Sequence, residues 1–161
     1  MTFFKPSKAD IARLMDAVAG NRADDTLGRF MKPEAWDILA LYLSQEKIER
    51  GHVLIAQGAL DRTLYFVESG VLRVHFAARN GDLQLALIGP GSVVGEGSFF
   101  SEIARNATVQ ATQTCVLWAL TPERFAQMSK KDPVTALALS MALGAVLSTR
   151  MLDVSRKISV T

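Results

Sequence analysis

Cysteine and histidine are scarce: among 161 residues there is one cysteine, Cys115, and two histidines, His52 and His75. A lone thiol cannot close an internal disulfide, so a reducing cytoplasm is the natural compartment. It also excludes an iron–sulfur cluster held by cysteines of this chain alone. The two histidines stand far apart in no ligand cluster, so metal-dependent enzyme chemistry lacks its donors, and each reads as a core or surface residue. No motif supports a haem ligand. No G-x-S-x-G nucleophile elbow occurs; Glu96-Gly97-Ser98 comes nearest and fails the pattern. Lys/Arg runs are missing too, and a net charge of +2 is too small to argue for nucleic acid or an anionic membrane. MTFFKPSKAD, the opening decapeptide, has no apolar stretch of the signal-peptide kind. These absences leave no enzyme, no cofactor and no metal site to argue for.

What is present suits one soluble domain, with 49% hydrophobic and 21% charged residues. One run carries no charge at all, PVTALALSMALGAVLST from Pro133 to Thr149. It is near the minimum of about 17 residues that spans a bilayer. Thr135, Ser140, Ser148 and Thr149 dilute it, and much of the rest is alanine. A buried or dimer-forming helix is the better reading, with no membrane partner.

The first third has helical periodicity. Ser7 and Asp10 resemble a capping box, Ile11, Leu14, Met15 and Val18 recur at helical spacing, and Gly20-Asn21 ends the segment. Asn21 to Lys32 is polar and mixed, a connection. Pro33 opens a second helix with Trp36, Leu39, Ala40 and Leu43 on one face. The middle third is punctuated by glycines between HVLIAQG, TLYFVESG, VLRVHFAA, LQLALIG, ATVQAT and CVLWAL, each with strand length and strand composition. Asn80-Gly81 is a two-residue hairpin signal. Thr121-Pro122-Glu123 then starts a helix through Phe125 and Met128, Lys130-Lys131-Asp132 breaks it, and Pro133 opens a long helix toward Lys157. The predicted fold is mainly β with flanking α: an antiparallel β-roll or jelly roll between N-terminal helices and a long C-terminal helix. Its divisions are residues 1–44, helical; 45–120, the roll; and 121–161, the C-terminal helices. They form one domain without repeats.

Between two apolar segments lies VVGEGSFFSEIARNATV, residues 93–109. Glycines at 95 and 97 let a backbone approach a ligand closely. A short helix beginning near Gly97 would aim free N–H groups at an anion. Arg105, nine residues after Glu96, would bring a fork of donors to the same anion. Glu96 only accepts hydrogen bonds, which suits sugar hydroxyls and repels phosphate. A phosphorylated ribose answers that description; the spacing taken alone favours a plain Glu96–Arg105 ion pair.

The run from GHVLIAQGALDRTLYFVESGVLRV through IGPGSVVGEGSFFSEIARNATV to TPERFAQM resembles the cyclic-nucleotide-binding domain family, over roughly residues 34 to 158. That family includes the bacterial cyclic-AMP receptor protein and the regulatory subunits of protein kinase A. The resemblance implies a phosphate-binding cassette at 95–108. It gives Glu96 to the ribose 2′-hydroxyl, Arg105 to the cyclic phosphate, and the backbone N–H groups of Ser98 and Asn106 to phosphate oxygens. Gly95 and Ala107 take its small positions, and Phe99 the apolar position that relays binding to the C-terminal helices. Gly97 stands where the family prefers leucine, and Asn106 where it has Ala, Ser or Thr. Asn has both donor and acceptor, so it serves either purine. Arg150 and Met151 fall where the receptor's helix reaches the base.

The resemblance implies a stand-alone cytoplasmic sensor of cyclic AMP, favoured over cyclic GMP, that signals through its C-terminal helix to an unknown downstream protein. The sequence stops just after that helix, where transcription factors of the family continue into a helix-turn-helix, so no direct nucleic-acid partner is expected. Ala136, Ser140, Gly144 and Ser148 recur every four residues, with Leu137, Met141 and Leu147 beside them, and predict a homodimer through this helix. The alternative is a degenerate member that serves as a dimeric interaction module without nucleotide.

Overall fold

The computed structural model describes residues 8–159, with side chains described from 10 to 156. Ser7, read above as part of a capping box, lies outside the described residues. Helix α1 (Lys8–Gly20) and α2 (Pro33–Leu39) precede eight strands. These are β1 (Ser44–Ile48), β2 (Val53–Ile55), β3 (Leu64–Ser69), β4 (Leu72–Ala78), β5 (Gly81–Ile88), β6 (Val93–Val94), β7 (Thr108–Ala111) and β8 (Cys115–Leu120). Helix α3 (Glu96–Ser101) interrupts them between β6 and β7, and α4 (Pro122–Lys131) and α5 (Pro133–Ser159) follow. The strands form two antiparallel four-stranded sheets, ordered β1-β8-β3-β6 and β2-β7-β4-β5. The β-roll between helices expected from the sequence is the fold observed.

Strands β3 and β8 are buried on both faces, which is why LYFV and CVLWAL read as continuous apolar runs. Leu64, Phe66, Trp118 and Leu120 point to the helices, where they meet Ile11, Leu14, Leu39, Met128 and Leu143. Tyr65, Val67, Cys115 and Leu117 point into the roll, against Ile55, Leu72 and Val109. The period-two alternation of a strand thus divides one sequence between two cores.

Four local expectations shift. Strand β1, SQEKI, was not anticipated: only Ile48 is buried, and its five register pairs with β8 define it. Strand β6 has only Val93 and Val94, paired with Phe66 and Tyr65. The second helix tightens to a 3-10 turn at Ala40–Tyr42, yet Trp36, Leu39, Ala40 and Leu43 are all buried as the spacing required. The hairpin at Asn80-Gly81 forms one residue earlier. Ala78 pairs with Gly81, so Arg79 and Asn80 make the turn.

Helix α5 presents one face to its own domain. Ala136, Leu139, Ala142, Leu143 and Val146 belong to the helix-side core. By length and composition, Pro133–Arg156 is one helix that could cross a membrane, and 33% of its apolar window is buried in the protein. The expected small-residue stripe is split. Ala136 faces the core, Ser140 and Gly144 are half-buried, and Ser148 is exposed. Leu147 lines a cavity instead of standing beside that stripe.

Candidate functional site

A cavity of about 520 Å³ opens between the β4–β5 hairpin, α3 and the distal half of α5. Gly95, Glu96, Gly97, Ser98, Arg105, Asn106, Ala107 and Arg150, the eight residues selected from the sequence, all line it. Val74, Leu85, Leu87, Leu147 and Val154 supply an apolar wall. A lining that joins polar groups to apolar side chains suits an amphipathic ligand.

Local backbone chemistry builds the polar part of this lining. Gly95 caps α3 at φ 90°, the left-handed region. A Cβ there would sit 2.8 Å from both Arg105 Nη1 and Thr63 O, so glycine is required on two counts. The helix begins at Glu96, one residue before the expected start. Nothing stands within 4 Å of a Cβ placed on Gly97, so the space for the family's larger residue is open.

Glu96 and Arg105 do not pair with each other. Arg105, 4% exposed, donates Nη2–H to Asp61 Oδ1 (2.7 Å) and Thr63 O (2.6 Å), Nη1–H to Gly95 O (2.9 Å), and Nε–H to Asp61 Oδ2 (3.4 Å). A guanidinium has five N–H donors, so one, on Nη1, is left without a partner among the described residues. The expected fork on an anion is therefore already turned to Asp61. Accepting from Arg105 holds the Asp61 carboxyl below its ordinary range, and the nearby positive charge adds to this, against a smaller effect of burial.

Glu96 is joined by Arg150 through Nη1 and Oε1. The same guanidinium donates Nε–H to Asp25 Oδ2 (2.7 Å) and Nη2–H to Val93 O (3.0 Å). Burial pulls the Arg150 pKa down, but Glu96 and Asp25 outweigh it and hold the group above its ordinary value. Arg150 is thus committed to two carboxylates rather than aimed at open space for a base. Three helical or turn segments, around Asp25, Glu96 and Arg150, meet at this guanidinium.

Sequence reading missed Asp25, Asp61 and Thr63. Asp25 lies 125 residues from Arg150 and Asp61 lies 44 from Arg105, separations that no local spacing rule reaches. The backbone of Arg105 also pairs with the loop that carries Asp61: Gly58 donates to Arg105 O (2.7 Å) and Arg105 N to Ala59 O (2.8 Å). Among the described residues no group of His, Cys, Asp and Glu could hold a metal. His75 is buried on β4 and outside the cavity lining.

The sequence pattern that defines the cyclic nucleotide-binding domain matches residues 45–132, more than half of the chain. The chain belongs to this family. It is 32% identical to the cyclic AMP receptor protein of Thermus thermophilus over 70% of its own length and 53% of that protein's. With a cAMP-dependent protein kinase regulatory subunit of Blastocladiella emersonii it shares 31% over 74% of its length and 29% of that chain. The chain thus spans about half, or less, of the curated relatives it matches. A cyclic nucleotide-binding domain from Methylobacillus flagellatus superposes with a TM-score of 0.79, covering 94% of this chain and 84% of that one; at 19% identity it shows the fold alone. The ligand class of the family is a cyclic nucleotide, and its domains are regulatory rather than catalytic.

Proposed function

We propose that this chain senses cyclic AMP and passes the signal on through α5. One observation carries the reading: a single cavity gathers the acceptor Glu96, the remaining Nη1–H of Arg105, the backbone of Ser98 and Asn106, and the C-terminal helix. The cyclic phosphate lies against Arg105 and the N–H groups of Ser98 and Asn106, with Gly95 and Ala107 allowing close approach. The ribose 2′-hydroxyl donates to Glu96, whose Oε2 has no partner among the described residues. The purine occupies the wall of Leu85, Leu87 and Leu147. Both curated relatives described above are named for cyclic AMP, which supports adenine over guanine.

Arg150 connects site and helix in this reading. It shares Glu96 with the incoming hydroxyl, so ligand changes what holds the end of α5. Phe99, 5% exposed, gives a second route, with its ring edge-on to Phe125 of α4 at 5.3 Å. The downstream partner is a protein in the cytoplasm that reads the position of α5, with no nucleic acid or membrane involved. A second copy pairs along the exposed side of the same helix.

Calorimetric titration with cyclic AMP, cyclic GMP and linear AMP tests the proposal. Cyclic AMP binds wild type best. Arg105→Ala loses on the order of 2–4 kcal/mol, the cost of removing a charged, hydrogen-bonded partner from a buried site. Glu96→Gln loses roughly 1.5–3 kcal/mol for cyclic AMP and much less for its 2′-deoxy analogue. Equal affinity of wild type and Arg105→Ala overturns the phosphate assignment. No binding of either cyclic nucleotide favours the interaction-module alternative.

A further inference from the structure

Asp61 and Arg62 are neighbours of opposite charge in the loop between β2 and β3, and each reaches a different end of the cassette. Asp61 holds Arg105. Arg62 turns to the far end of α3, donating Nε–H to Ser98 O (3.3 Å) and Nη2–H to Phe99 O (2.9 Å), while Nη1 pairs with Glu102 Oε1 (3.1 Å). Glu102 caps this helix at φ 60°, the one non-glycine residue with positive φ among those described. A left-handed glutamate carries backbone strain and holds only where its surroundings insist on it.

A six-residue helix cannot hold itself. It closes too few internal bonds to repay nucleation, and its last carbonyls have no intrahelical partner. Arg62 satisfies the Phe99 carbonyl, adds a second donor to the Ser98 carbonyl that already accepts from Glu102 N–H (3.2 Å), and pairs with the residue that ends the helix. Ser98, whose carbonyl Arg62 holds, also lines the cavity.

We propose that Arg62 is a positioning residue for the ligand, acting through α3 without touching it. By holding Ser98, Phe99 and Glu102, it sets where the backbone of Gly97 and Ser98 stands relative to Arg105. The adjacent Asp61 sets Arg105 itself, so one rigid dipeptide fixes the spacing between the two halves of the phosphate-facing wall. This rests on the cyclic-nucleotide reading above.

Calorimetry of the wild-type chain, Arg62→Ala and Arg62→Lys with cyclic AMP, alongside backbone hydrogen exchange without ligand, tests it. Arg62→Ala raises Kd about tenfold at unchanged stoichiometry and speeds exchange at residues 97–102 while β3 and β8 stay protected. Arg62→Lys, which keeps the charge near Glu102, recovers part of both. A residue that merely stabilised the fold would lower the binding-competent fraction and leave Kd unchanged; that result, or unaltered exchange at 97–102, overturns the proposal. If wild type binds no cyclic AMP, the ligand reading falls and the positioning role for ligand falls with it. The exchange measurement still separates that case from one in which Arg62 does not hold α3.

Discussion

Arg105 is a buried cation whose neutralising partner, Asp61, keeps about half of its side chain in solvent. The Gly95 and Thr63 carbonyls also accept from Arg105 and water reaches Asp61, so losing the Asp61 charge leaves the guanidinium still partly served. Because Asp61 titrates below its ordinary value of 3.8, its contribution to stability is complete above that value and disappears as the pH falls through the lower folded one. Thermal melts of wild type and Asp61→Asn should differ at pH 7 by about 1 kcal/mol or less, given Asp61's exposure. The two curves should draw together below pH 3.8. A difference that persists unchanged at pH 2.5 would assign the effect to something other than ionised Asp61.

Helix α3 is the weakest element by its own chemistry and the one on which the site depends. Gly97 lies within it, exposed, with open space where a Cβ would go and no positive φ. Glycine in a helix interior costs roughly 0.5–1 kcal/mol relative to alanine. Gly97→Ala should accordingly raise the unfolding free energy by up to that amount, read as a higher urea midpoint at an unchanged slope. A lower midpoint would mean that α3 needs the extra backbone freedom. Strand β1 shows the opposite case: SQEKI has weak strand chemistry of its own, and its place comes from pairing along β8.

Across the whole molecule, α5 is divided lengthwise. One side completes the helix-side core. The other leaves Leu137 64%, Met141 68% and Met151 71% exposed, with Gly144 and Ser148 between them. The order Leu137, Met141, Gly144, Ser148, Met151 has the four-three spacing of a two-helix seam, and a Cβ on Gly144 would meet nothing within 4 Å. Sedimentation should find a dimer at micromolar concentration. Met141→Glu, which places two carboxylates face to face, should weaken association at least tenfold while leaving the fold intact. A wild-type monomer at high micromolar concentration, with and without cyclic AMP, would remove the dimer from the proposal.

The local sequence determined what depends on neighbours in the chain: the Thr121 cap of α4, the helical stripe Ile11–Leu14–Val18, the β4–β5 hairpin, and strands rich enough in Val, Leu and Phe to declare themselves. The grouping of Glu96, Arg105 and their small neighbours was legible for the same reason, since loop chemistry of that kind is compact in sequence. The tertiary structure alone decided the partners. Asp61 reaches Arg105 and Asp25 reaches Arg150 only after the roll closes, and Ala136 turned inward because the helix's rotation follows the core rather than its small residues. A side chain's periodicity is written in the chain, but which charge it meets depends on where other elements bring theirs, and burial then fixes that choice by making an unpaired charge too costly.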